Sequence, residues 1–124
     1  MQGTDFAKAI IAHDRWKLRL GAFIRGSGEV LDPALIQQDG QCDLGKWLYG
    51  DGLAYQHEPE YKEVLAHHAR FHQQAAAIVR RVKVADTVGA ATLLAVGSEY
   101  SRASNSTILG LTALRRKVRR QPAH

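Results

Sequence analysis

The stretch VLAHHARFHQQA, residues 64–75, carries three histidines within six positions: His67, His68 and His72. His68 and His72 stand four residues apart, the spacing at which two side chains leave one face of a helix. That face is apolar, shared with Tyr61, Val64, Leu65, Phe71, Ala75, Ile78, Val79 and Val82. His67 falls on the polar side with Glu60, Glu63, Arg70 and Gln74. An imidazole aimed into a core needs a hydrogen-bond partner or a metal, and two at this spacing can share one cation.

His13 repeats the pattern, in an otherwise apolar slot between Ile10 and Leu20. Any one core histidine is more commonly satisfied by a neighbouring carbonyl than used as a ligand. Three of them beside a cysteine in 124 residues shift the balance toward a metal site. Cys42 is the only cysteine, so no internal disulfide can form, and it supplies the fourth ligand. It sits near the start of a predicted short helix, where unpaired backbone N–H groups favour a thiolate over a thiol. One thiolate with the imidazoles of His13, His68 and His72 suits tetrahedral zinc, which needs no redox chemistry. Such a site carries a net positive charge, so at least one imidazole should donate its other N–H to an acceptor. Asp14, Asp39 and Asp43 are the candidates.

These residues need helices to position them. Periodic apolar positions Phe6, Ile10, His13, Leu20 and Ile24, widened by Trp16 and Phe23, predict a helix over 4–25 that ends at Gly26-Ser27-Gly28. Asp32-Pro33 is an N-cap followed by proline and predicts a short turn of helix over 33–37. Asp39-Gly40 makes a tight turn before CDLGKWLYG, a second short helix closed by Gly50-Asp51-Gly52. Pro59 opens a long helix to about residue 83. Asp86 is the expected cap of a last helix with Leu93, Val96, Tyr100, Ala103, Thr107, Leu111, Leu114 and Val118 along one side. Its Gly, Ser and Thr lower helix propensity but permit close approach of a neighbour. No strand, repeat or linker is evident. The expectation is all-α: an antiparallel four-helix-bundle-like domain, with a short Cys-bearing helix between the first and third main helical segments.

The totals suit one globular domain, with 45% apolar and 23% charged residues. The expected domain is residues 1–114, with 115–124 as a basic C-terminal tail. No apolar run is long enough to span a bilayer and MQGTDFAKAI lacks the features of a secretory signal, so the expected location is the cytoplasm. The net charge of +5 is local. Without Arg115, Arg116, Lys117, Arg119 and Arg120, the remaining basic residues equal the acidic ones in number. The cluster complements the end of a helix dipole. No aromatic residues interleave with it, which argues against nucleic acid.

Taken together, His13-x-x-Trp16 with Leu20, then Cys42-x-Leu44-Gly45-x-Trp47-Leu48, then His68-x-x-Phe71-His72 resemble the bacterial chemoreceptor zinc-binding (CZB) domain. The Cys-x-Leu-Gly-x-Trp-Leu piece is the most specific. The resemblance covers about residues 10–80 and implies a four-helix fold with one zinc held by His13, Cys42, His68 and His72. Trp16, Leu44, Gly45, Trp47 and Phe71 would support the motif by packing, while His57 and His67 match no ligand position. It further implies a regulatory domain, commonly in dimers, that acts on a chemotaxis receptor's signalling region or a diguanylate cyclase. The stimulus is zinc, or an oxidant such as hypochlorous acid that attacks the cysteine. Neither output module is visible in this chain. The Met1 start and basic tail favour a free-standing module over a piece of a longer protein.

Three other functions are weighed against this. A zinc enzyme needs an open coordination position, which a fourth protein ligand closes, and no H-E-x-x-H glutamate accompanies the histidine pair. A hemerythrin-like di-iron site needs bridging carboxylates that the apolar stripes lack. A structural zinc without a sensing role is the nearest alternative.

Overall fold

The computed structural model describes residues 3–40 and 42–120, with side chains from Ala7 to Arg119. Phe6 and residues 121–124, which figured in the expected stripe and tail, lie outside the described side chains. Among the described residues, six α-helices and one 3-10 turn follow in order: α1 Gly3–Ile24, α2 Pro33–Ile36, α3 Asp43–Leu48, the 3-10 turn Asp51–Tyr55, α4 Pro59–Lys83, α5 Thr87–Leu94 and α6 Glu99–Arg120. No strand occurs among the described residues.

The helix ends follow their sequence signals. At the end of α1, Gly26 adopts φ 78°, while its N–H bonds to Phe23 O and that of Ser27 to Ala22 O, which satisfies two terminal carbonyls. Asp32 caps α2 by accepting from Ala34 N–H at 3.0 Å, with Pro33 in the first turn. Along α4 the buried residues are Tyr61, Val64, His68, Phe71, His72, Ala75, Ala76, Ile78 and Val79, one continuous apolar face.

The predicted last helix is two helices. Asp86 does cap a helix, accepting from Gly89 N–H at 2.9 Å, but that helix, α5, stops at Leu94. Gly97 turns the chain with φ 86°, and Ser98 starts α6 by accepting from Ser101 N–H at 3.2 Å. A glycine stop followed by a serine cap outweighs the weak periodicity across 93–100. Val96, expected on the inner stripe, is instead 85% exposed.

Two apolar clusters fill the interior. One joins Leu20 of α1 with Phe71, Ala75, Ile78 and Val79 of α4, Ala90 of α5, and Tyr100 and Ala103 of α6. The other joins Ala9 with Leu44, Leu48, Tyr61, Val64, Leu111 and Leu114. Early α1 therefore meets early α4 and late α6, so α6 runs antiparallel to both. α1 and α4 point the same way because α2, α3 and the 3-10 turn carry the chain back between them. The small residues of α6 serve close packing: a Cβ at Gly110 would lie 2.8 Å from Val64 Cγ2. Lys117 fastens the end of α6 to the start of α4 through Glu58 at 2.7 Å and Glu60 at 3.1 Å. The layer between the two clusters holds His13, His68 and His72.

Candidate metal centre

Helix α4 delivers His68 and His72 to the interior one turn apart, 0% and 3% exposed, and α1 brings His13, 3% exposed, against them. Cys42 arrives on a loop held by close backbone contact. It is the N-cap of α3, and its Sγ accepts from Gly45 N–H at 3.3 Å. Gly45 packs so tightly on the preceding turn that an added Cβ would stand 1.8 Å from Asp39 O. The Leu-Gly pair of the motif is thereby explained: Leu44 anchors α3 in the core, and only glycine admits the Asp39–Gly40 turn beside it.

The donor atoms converge. Cys42 Sγ lies 3.1 Å from His68 Nε2 and 3.5 Å from His72 Nε2, and the two Nε2 atoms are 3.0 Å apart. Ligand atoms of His13, Cys42 and His68 all lie within 4.8 Å of one another. The His13 ring packs on Phe71, with ring centres 4.4 Å apart, and the Trp16 ring meets His72 edge-on at 6.5 Å. Trp47, 9% exposed, belongs to the cluster beneath Cys42. His67 is half-buried and His57 exposed, and neither joins the group.

Hydrogen bonding fixes one ring and leaves two unsatisfied. His72 Nδ1–H donates to Ile36 O at 2.7 Å, so its Nε2 presents a bare lone pair to His68 and Cys42. The Nδ1 atoms of His13 and His68 are buried without a partner. Burial, reinforced by the neighbouring imidazoles, lowers the pKa of His13 to about 4 and that of His68 to about 2. Burial also lowers that of His72, against the opposing pull of the Ile36 carbonyl and Asp39. The rings therefore stay neutral, as ligands must. For Cys42 burial pushes the thiol up, outweighing the Gly45 and Leu44 N–H groups that pull it down. The expectation that the helix start by itself yields a thiolate is corrected on this point: here a metal must displace the thiol proton.

Sequence reasoning missed Ile36, whose role belongs to its backbone carbonyl and so leaves no trace in residue type. None of the expected carboxylate acceptors bonds to one of these imidazoles among the described residues. Asp39 accepts from Tyr49 O–H at 2.8 Å, Asp43 is exposed beside Cys42, and Asp14 acts electrostatically on Tyr100. One soft sulfur and three imidazoles, with the donor atoms of Cys42, His68 and His72 within 3.5 Å of one another, form a donor set that fits zinc.

The family model for the chemoreceptor zinc-binding domain matches residues 13–79, more than half of the chain. The chain belongs to the chemoreceptor zinc-binding domain family. The matched span starts at His13 and includes Cys42, His68 and His72. Comparison with curated proteins and with solved structures found no match. Family membership and the converging donors together make zinc the cofactor. As a chemoreceptor zinc-binding domain the chain is all-helical, and none of its described helices is long and apolar enough to cross a membrane.

Proposed function

We propose that His13, Cys42, His68 and His72 together hold one zinc ion in a closed site and that the domain is sensory. The observation that carries the reading is the approach of Cys42 Sγ to His68 and His72, at 3.1 and 3.5 Å, beside His13. Bound there, zinc supplies a link between α1, the Cys42 loop and α4. Peptide-scale zinc sites gain roughly 10–16 kcal/mol, far more than the few kcal/mol that separate two helix packings. Cys42 gives up its proton to become a ligand, and the Ile36 carbonyl keeps His72 in the tautomer that offers Nε2.

Cys42 is also the point of chemical attack. Hypochlorous acid transfers its chlorine to the thiolate sulfur and releases hydroxide, water then converts the sulfenyl chloride to sulfenic acid with loss of chloride and a proton, and the oxidised sulfur is a poorer ligand. Release or rearrangement of α1 and α4 then acts on a signalling partner of the chemotaxis-receptor or diguanylate-cyclase kind. Under this reading the domain works in the cytoplasm as a homodimer, with residues 1–114 as its body and 115–124 as a basic extension, and it catalyses no reaction. Titration of the zinc-loaded protein with hypochlorous acid tests sensing against a purely structural zinc. Zinc should appear in solution at about one oxidant equivalent, in step with loss of the Cys42 thiol. Retention of zinc until the protein is generally damaged would favour the structural role.

A further inference from the structure

His13, His68 and His72 are closed to solvent, while Cys42 is half-buried. A groove of about 870 Å³ runs between α1 and the connection through α2, and Cys42 and His72 line it whereas His13 and His68 do not. Leu20, Leu44 and Phe71, each no more than 1% exposed, close off the core around the cluster. The groove therefore opens onto the donor cluster from its Cys42–His72 edge.

The charges along this groove are divided between its walls. Lys8, Arg15 and Arg19 stand on the α1 side, and Glu29, Asp32 and Asp43 on the other. Arg19 pairs with Glu29 and lies over the Trp16 ring, so that couple is neutralised. The Asp32 carboxylate is committed to capping α2, and nearby Asp39 to Tyr49. Asp43 differs: it is exposed, lines the groove next to Cys42, and makes no hydrogen bond or ion pair among the described residues.

We propose that Asp43 is a transit ligand, whose carboxylate takes zinc from the groove and passes it to Cys42 and His72. The inference rests on the zinc-site reading above. A carboxylate oxygen binds zinc well enough to replace a shed water, yet exchanges readily for sulfur and nitrogen. Stepwise replacement spares the ion a fully stripped intermediate, so the same group eases both entry and exit. It is not one of the resident ligands.

Rapid mixing of metal-free protein with zinc chloride, followed with a fluorescent zinc chelator, gives the association rate. Mixing zinc-loaded protein with excess chelator gives the dissociation rate. Asp43→Asn should slow both by roughly fivefold or more at low salt, while the dissociation constant stays within about twofold. Asp43→Glu should restore most of both rates, and Asp51→Asn, which removes the same charge outside the groove, should leave them unchanged. Unchanged rates in Asp43→Asn would overturn the transit role alone. So would an affinity loss carried only by faster dissociation, which would make Asp43 a support of the bound ion. Wild-type protein that takes up no zinc at all would overturn the zinc reading as well.

Discussion

At the scale of single residues, the centre depends on histidines kept neutral by burial. In the unfolded chain these imidazoles titrate at the ordinary 6.5, whereas in the folded metal-free protein His13 is lowered to about 4 and His68 to about 2. Below pH 6.5 the unfolded state binds protons that the folded state refuses. The contribution of these groups to stability is thus complete above pH 6.5 and is lost as pH falls toward 4 and below. The urea midpoint of metal-free protein should accordingly drop between pH 7.5 and pH 5, and a midpoint that holds or rises would contradict the assignment of neutral rings. The i, i+4 histidine pair and its apolar surroundings could be read from the chain, because helix periodicity encodes them. The carbonyl of Ile36 could not be, since it lies far from His72 in sequence and a backbone oxygen is common to every residue. Nor could the balance at Cys42, where burial exceeds the pull of the α3 N–H groups.

At the scale of elements, caps and stops decide where each proposed ligand stands. Glycine at Gly26 ends α1 without strain, but the matching position after α4 is Ala85, with φ 62°. Its N–H bonds to Val82 O and that of Asp86 to Arg81 O, the same closing pattern as at Gly26. A side chain in the left-handed region costs about 1 kcal/mol relative to glycine. Ala85→Gly relieves that strain but returns roughly 0.4–1 kcal/mol of freedom to the unfolded chain, so it should raise the unfolding free energy in urea titrations by no more than about 0.5 kcal/mol. A loss of stability would contradict the strain. The starts and ends of α1 to α4 were legible because each carries a strong local signal. The division of the final segment into α5 and α6 was carried by Gly97-Ser98, two residues that an apolar stripe drawn through Val96 overrode. The parallel course of α1 and α4 has no local signature, since it follows from how α2, α3 and the 3-10 turn fold back.

At the scale of the whole molecule, the donor cluster lies between two apolar clusters and is built from three separate elements. His13 belongs to α1, Cys42 to the cap of α3, and His68 and His72 to α4. Under the proposed reading, a metal there cross-links segments that are far apart in sequence, and its occupancy biases the packing of the bundle. Tyr100 at the start of α6 packs on Phe71, with ring centres 5.2 Å apart, and Phe71 packs on His13. Changes at the centre thus have a contiguous route to the last helix, the element that ends in the basic cluster. All of this depends on the proposed four-ligand zinc site, which metal content tests directly. Purified protein loaded with zinc and freed of excess should retain one zinc per chain. His67→Ala should retain it too, while Cys42→Ala should weaken zinc affinity at least tenfold. Equal losses from the two substitutions, or no zinc in the wild-type protein, would contradict the account.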